Sequence, residues 1–432
     1  MMSSDKIPKG ELARTGVVGL TAAKVGIKEI EYLAKKTFGY GNGKQELKDH
    51  TDEKIAKIIF KALSYLRGTA LKFAQMLSME IDVLPEAFQK EFSKSCYQVP
   101  SLNRALIRKE ITTGLGGVPE KLFKSFQSTP FAAASLGQVH AGETTDGAQT
   151  ATKVQYPGIA DTIQSDIKLL RKLITIMPYQ HADQNIGDEI EARLMEELDY
   201  KLEAQNTRWF KKHLSSVHIE IPDVIDSLSS KTILTTTRLD GKHLEDWLSA
   251  NPSQALRNHY GQLLADIVQF GLYDLCALHT DPNPGNFLFR DDGTIGILDF
   301  GCIKRLDKDY ANKFKLFLEV LQHKDISKIR DMYELLGFKL KKKSARATAK
   351  DDDVLKIWLD WFSKPLTEKK FSFAENSGYI KEGYKIIRHF RNFFASVNEN
   401  FIFLDRTWLG LFRFLEKIQA EANLRPDRQL IL

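Results

Sequence analysis

Apolar residues recur at helical spacing over residues 12–36, where Ile27, Ile30, Leu33 and Ala34 share a stripe, so an amphipathic helix is expected there. It would pack on its own protein or lie on a membrane or lipid-bound partner. The linker GYGNG (39–43) follows, then helical patterns over 54–66 and 69–79, with Pro85 opening the next turn. Short helices are expected over 101–112 and 119–126, separated by the glycines and proline of 114–119. At Pro130 the period changes to 2. FAAASLGQVHAG, TTDG and QTATKVQY read as strand, turn and strand. Long helical patterns over 159–177 and 188–211 come next, then strands over 219–224 and 232–238 and a turn at Asp240-Gly241. A helix over 244–248 and a long one over 252–278 follow. Residues 287–289 and 295–298 are short apolar strands around an Asp292-Gly293 turn, which predicts a hairpin. Beyond Cys302 the pattern is almost entirely helical, over 308–323, 326–336, 354–362, 378–394 and 401–421. The basic stretch 339–350 before three aspartates predicts an exposed loop, a solvated linker or a contact for an anionic headgroup.

These elements make an α+β chain with four parts: a tail and amphipathic helix (1–50), a helical extension (51–129), a strand-rich lobe (130–240) and a helical lobe (241–432). Composition adds limits. Hydrophobic content of 43% and charged content of 27% are those of a globular protein. The net charge of +6 fits anionic ligands or an anionic membrane surface, but is too scattered to argue for nucleic acid. Cys96, Cys276 and Cys302 have neither metal-ligand nor disulfide spacing, which points to a reducing compartment. No apolar run is long enough for a transmembrane helix, and no signal-peptide layout is present.

The chemistry concentrates in HTDPNPGNFLFRDDGTIGILDFG, residues 279–301. Asp281 and Asn286 have the spacing of a kinase catalytic-loop aspartate and metal-binding asparagine, and Asp299 opens an Asp-Phe-Gly tripeptide. The hairpin between them brings Asn286 and Asp299 together as hard oxygen ligands suited to Mg²⁺. Alone, a DFG is weak; joined to D-x4-N and a hairpin it points to phosphoryl transfer. Upstream, Ala132, Ala133, Ala134 and Ser135 occupy the nucleotide-loop position, and Lys153 on the next strand is the candidate phosphate contact. A half-buried lysine needs a carboxylate partner. Glu197 and Glu203 lie on the expected 188–211 helix about 240° apart, so they should serve different partners. Lys72 and Gln75, three apart, share a helix face that by itself reads as solvated. No Walker A motif occurs and no A-P-E segment follows Asp299, which counts against a P-loop NTPase and an ordinary protein kinase.

Taken in order, LRGTALKFAQMLS, PFAAASLGQVH, ATKVQYPG, EELDYKLEAQN, HTDPNPGNF and LDFG resemble the UbiB family, the aarF-domain-containing (ADCK) atypical kinases associated with coenzyme Q biosynthesis. The resemblance spans roughly residues 50–330. It implies a bilobal protein-kinase-like fold with a helical N-terminal extension and a mostly helical C-lobe, binding ATP and Mg²⁺. It implies that Lys72 and Gln75 belong to an extension lying over the active site, with Ala74 in place of a glycine. It further implies that Lys153 binds phosphate and Glu197 pairs with it, that Glu203 holds the extension through Lys72, that Asp281 is the catalytic-loop residue, and that Asn286 and Asp299 bind Mg²⁺. The alanine-rich loop would alter nucleotide preference. Expected partners are ATP, anionic or quinone-like lipid and coenzyme Q biosynthesis enzymes. The expected location is the cytoplasm with peripheral membrane contact, or the matrix face of the mitochondrial inner membrane. Two other readings stand beside this one: an aminoglycoside or choline phosphotransferase, which would lack the alanine loop and the extension, and an ATP-gated lipid-binding scaffold.

Overall fold

The computed structural model describes residues 11–38, 44–66, 87–88, 91, 103–134, 136–159, 167–168, 171, 191, 194–214, 216–340, 345–390, 394–396 and 398–430. Lys72, Gln75, Cys96 and Ser135 lie outside the described residues. The described chain up to Leu202, with Ile225–Thr237, forms one compact unit; Glu203–Val224, with the chain from Arg238, forms a second.

The first unit opens with helices α1 (Glu11–Phe38) and α2 (Lys44–Leu66), which pack on each other. The packed face of α1 is not the stripe read from the sequence. Thr21 and Val25 are buried, while Ile27, Ile30 and Leu33 are 56%, 68% and 55% exposed. Helical spacing identifies an apolar stripe but not the side on which the neighbouring helix lies.

Helix α3 (Arg104–Leu115) starts at Asn103, whose side chain accepts from Ala105 N, and ends at Gly116 with φ 74°. The expected 119–126 helix stops early. α4 spans only Pro119–Leu122, and β1 (Ser125–Phe126) pairs with β3 instead. Strands β2 (Ala132–Ala134), β3 (Gly137–Glu143), β4 (Gln149–Gln155) and β6 (Ile233–Thr237) complete an antiparallel five-stranded sheet in which β1 and β2 share one edge of β3. Alternation along β4 puts Val154 on the face that packs against Ile107 and Ile111 of α3 with Ile233. Gly137 must be glycine, because a Cβ there would stand 2.3 Å from the Val154 carbonyl oxygen.

The helix expected over 188–211 is broken. Residues 194–197 are helical, the chain turns at Leu198, and α5 (Tyr200–His213) restarts after Asp199. Asp199 Oδ1 accepts from Lys201 N at 3.1 Å and from Leu202 N at 3.0 Å, an N-cap that begins a new helix. The angle deduced for Glu197 and Glu203 from one continuous helix therefore does not apply.

In the second unit β5 (Ile219–Glu220), shorter than the expected strand, pairs in parallel with β9. Helices α6 (Leu244–Ser249) and α7 (Gln254–Tyr273) follow. α7 ends five residues before the expected boundary, because β7 (Ala277–His279) pairs with β10 (Ile303–Arg305), a partner that helical periodicity cannot register. The hairpin of β8 (Phe287–Phe289) and β9 (Ile295–Ile297) forms as read, with Phe287 opposite Ile297 and Gly293 at φ 85° in its turn. Helices α8 (Lys308–Gln322), α9 (Ile326–Leu335), α10 (Ala345–Thr367), α11 (Tyr379–Phe390) and α12 (Glu399–Ile418) build the rest. α10 begins inside the stretch expected to be a loop. Short pairs β11 (Lys339–Leu340) with β13 (Phe394–Ser396), and β12 (Phe371–Ser372) with β14 (Glu421–Ala422), interrupt the expected helical run. α12 anchors the core with Leu404, Trp408, Leu411, Phe412 and Leu415 buried, each contributing roughly 1.5–3 kcal/mol for the large aliphatic and aromatic side chains.

Candidate active site

The loop between β7 and β8 carries Asp281 and Asn286. Asn283 opens a single 3₁₀ turn, Pro284–Asn286, by accepting from Gly285 N at 3.0 Å. Asn286 Nδ2 donates to Asp281 Oδ2 at 2.9 Å, which turns the Asn286 carbonyl oxygen away from that carboxylate. Leu298 N donates to Asn286 O at 2.9 Å, so the hairpin register sets Asn286 beside the strand that leads into Asp299. Asp299 Oδ1 accepts from Gly301 N at 2.8 Å. A Cβ on Gly301 would stand 3.2 Å from Asp299 Oδ1 and 3.7 Å from Glu203 Oε2, so these two carboxylates flank the glycine. Glu203 is 4% exposed.

The Asp-Phe-Gly turn is held from three sides. His279 Nε2 donates to Asp299 O at 2.5 Å, which places the proton on that nitrogen. Asn206 Nδ2 donates to Phe300 O at 3.1 Å from a buried position on α5. Thr280 N donates to Cys302 O at 3.0 Å. Phe300 is buried and stacks on Phe210 at 5.1 Å. The hairpin turn is fixed by α7. Tyr260 Oη accepts from Arg290 N at 2.8 Å and shares its one proton between Thr294 O, at 3.0 Å, and Arg290 O. Burial pushes the Tyr260 phenol up to about 12, which keeps the donating proton in place.

In the first unit Lys153 lies at mid-sheet, opposite Val139 on β3 and Leu234 on β6. Its face of β4 also carries Gln155, whose Nε2 donates to the Leu198 carbonyl at 2.7 Å in a buried bond. That bond ties the residue after Glu197 to the Lys153 face. Ala132, Ala133 and Ala134 form β2, with Ala134 opposite Gly137 across the turn.

The structure thus gathers Asp281, Asn286, Asp299 and Glu203 in the second unit, and brings the segment of Glu197 to the Lys153 face in the first. Sequence reading gave no role to His279, Asn206 or Tyr260. His279 opens the stretch that carries Asp281, Asn286 and Asp299, and Asn206 closes EELDYKLEAQN three residues after Glu203, so a same-face argument reaches it. Nothing local marks Tyr260.

Carboxylate and amide oxygens are a hard donor set, suited to Mg²⁺. No cluster of three or more histidine, cysteine or acidic residues with metal-site geometry occurs among the described residues.

An antiparallel five-stranded sheet with a lysine at its centre, and a helical unit carrying an Asp-loop-Asn hairpin that ends in Asp-Phe-Gly, define a kinase-like α+β protein. Rv3197 from Mycobacterium tuberculosis, solved with erythromycin, shares the fold at TM-score 0.61 and 24% identity, over 90% of this chain and 98% of that one. Residues 94–333 match the ABC1 atypical kinase-like domain, and the chain belongs to that family. It is 28% identical over 348 residues to the mitochondrial atypical kinase COQ8B of Rattus norvegicus, covering 78% of this chain and 65% of the relative. It is 29% identical over 349 residues to the mitochondrial atypical kinase COQ8 of Saccharomyces cerevisiae, covering 78% and 68%. The chain spans about two thirds of the length of these curated relatives.

Proposed function

We propose that the chain is an atypical kinase-like ATPase that uses Mg²⁺-ATP and supports coenzyme Q biosynthesis at a membrane. The observation that carries this reading is the orientation of Asn286, whose amide donates to Asp281 Oδ2 while the hairpin register sets it beside the strand to Asp299. In this reading Asn286 and Asp299 hold Mg²⁺, which neutralises phosphate charge when bound. Asp281 orients the acceptor oxygen and takes its proton. Lys153 contacts phosphate and Glu197 fixes the lysine, which the Gln155 bond to Leu198 supports. Ala132 to Ser135 cover the nucleotide. Lys72 and Gln75 belong to the extension, with Lys72 reaching Glu203. The parts are residues 51–129 as extension, 130–240 as nucleotide-binding lobe and 241–432 as catalytic lobe.

The names of the curated relatives support the place in coenzyme Q biosynthesis and favour a mitochondrial location over a bacterial cytoplasm. Among the described residues no helix is long and apolar enough to cross a membrane. Membrane contact in this reading is peripheral, through anionic or quinone-like lipid, with coenzyme Q biosynthesis enzymes as further partners.

The test is Mg²⁺-dependent ATP hydrolysis with and without anionic liposomes, wild type beside Asp299→Asn. Turnover that rises with lipid and disappears in the variant is the expected result. Undiminished turnover in Asp299→Asn, or absence of ATP binding in the presence of Mg²⁺, refutes the reading.

A further inference from the structure

A pocket lies in the first unit, and none of the candidate active-site residues takes part in it. It has a volume of about 410 Å³ and opens between α3, α4 and β1. That volume falls in the range of small-molecule sites. Arg104, Arg108 and Lys124 line it, with Ser125 and Ser128 adding hydroxyls. Ile107 and Phe123 supply a buried apolar floor. Glu120 is the single acid on the wall.

We propose that this pocket binds a small molecule carrying a phosphomonoester. The proposal does not depend on the ATPase reading. Arg104 and Arg108 are one turn apart on α3 and share a face, so two guanidinium forks line one wall. Charge is placed here against local preference. Like charges four residues apart weaken a helix, and the first turn of α3, where acids are favoured, holds none. A site that breaks local rules for no more return than one exposed ion pair and one hydroxyl contact points to a ligand.

The cations are available. Arg104 donates only to the Thr129 hydroxyl, at 3.2 Å, and pairs with no carboxylate among the described residues. Arg108 meets Glu120 at 3.2 Å with side chains 48% and 66% exposed, a surface pair that a dianion displaces at little cost. Lys124 is held by Glu143 at 2.6 Å, which positions it at the rim as a fixed point charge. Two arginine forks and a lysine suit the three oxygens of a phosphomonoester, and the apolar floor accommodates the body of the ligand.

The same chemistry is offered by a soluble phosphoester and by a phospholipid headgroup, and the experiment separates them. Glycerol 3-phosphate is titrated calorimetrically into the nucleotide-free full chain. In parallel, sedimentation is measured with phosphatidylcholine vesicles containing phosphatidic acid. Wild type is compared with Arg104→Gln/Arg108→Gln and with Lys153→Ala. Both arginines are exposed, so the double variant should keep the wild-type melting temperature, which circular dichroism checks. The expected result is binding of glycerol 3-phosphate that weakens by at least about tenfold per arginine removed and is unchanged in Lys153→Ala. Binding of the vesicles alone, lost in the double variant, also supports the site and assigns it to a lipid headgroup. No binding of either probe, or binding that survives in the double variant, overturns the proposal. So does binding lost only in Lys153→Ala, which would place the anion on the nucleotide lysine.

Discussion

Gly410 on α12 is where packing meets chemistry most directly. A Cβ at this position would stand 2.4 Å and 2.5 Å from Cβ and Cγ of Pro282, the residue after Asp281. Carbon atoms pack at roughly 3.5–4.0 Å, so Gly410→Ala demands a displacement of about 1 Å or more. α12 cannot supply it, because Trp408 and Phe412 are buried on the same helix. The Asp281 loop can, because a cavity of about 50 Å³ lined in part by Pro282, Phe287 and Phe300 leaves it room to move. The pyrrolidine ring carries that shift into the backbone at Asp281. A 1 Å misplacement at a reacting centre costs on the order of 10²-fold in rate, while overpacking costs only about 1–3 kcal/mol of stability. The matched control is Gly261→Ala on α7, where a Cβ would stand 2.5 Å from Ala420 Cβ, in a contact that does not touch the Asp281 loop. Both variants should unfold at lower denaturant, but only Gly410→Ala should lose Mg²⁺-dependent ATP turnover, by about two orders of magnitude in kcat. Wild-type kcat in Gly410→Ala, or an equal loss in Gly261→Ala, refutes the reasoning.

Arg428 and Asp266 form an ion pair with side chains 6% and 3% exposed, so Arg428→Leu, which strands a buried carboxylate, should cost about 3–5 kcal/mol in urea unfolding, and adding Asp266→Leu should recover part of it. A full loss in the double variant would contradict this. His140 is fully buried, and burial holds its imidazole below the ordinary value of 6.5. The unfolded chain therefore takes up a proton below pH 6.5 that the folded ring refuses; stability should fall as pH drops through that range and do so less in His140→Asn, and identical pH slopes would dismiss the role. Asn206→Ala removes the donor to Phe300 O and should cost about 1–3 kcal/mol and raise the Mg²⁺ requirement of turnover; unchanged stability and Mg²⁺ dependence would show the bond to be idle.

The hairpin that sets Asn286 beside the Asp299 strand was legible because its determinants are local: two apolar triplets, an Asp-Gly turn and a fixed loop length. The β3–β4 pair with Lys153 was legible for the same reason, since alternation and a turn are written in neighbouring residues. What failed was decided by distant partners. β7 is a strand because residues 303–305 lie alongside it, and nothing in its own three residues says so. Ser125 and Phe126 leave the helical pattern to pair with Glu143 and Gly142. The break at Asp199 is different. Its N-cap signal was present in the sequence and was hidden by the strong helical period on both sides.

The polar stripe of α7 shows why the supports of the site stay hidden longest. Gln254, Asn258, Gln262, Asp266 and Gln269 recur at helical spacing and look like a solvated face. In the fold they are the bed for residues 419–428. Gln254 donates to Gln419 O at 2.8 Å, Asn258 accepts from Glu421 N at 2.8 Å, and Gln269 donates to Leu424 O at 3.0 Å. Gln262 both donates to Asn423 O at 3.2 Å and accepts from Asn423 N at 2.8 Å. An extended backbone presents donors and acceptors in turn, and a side-chain amide answers both from one position; lysine cannot accept and an ionised glutamate cannot donate. The opposite edge of the segment pairs with β12, Ala422 opposite Phe371, so its backbone is satisfied on both sides. α7 then runs to β7 and Asp281, with Gly271 packed so closely that a Cβ would stand 2.8 Å from Ala277 O. The helix that leads to the Asp281 loop is therefore set by tight glycine packing at one end, and along its length by a chain segment more than 150 residues downstream, held through amides beside the buried Ala420, Ala422 and Leu424. Amide recognition of that kind leaves no hydrophobic period to read.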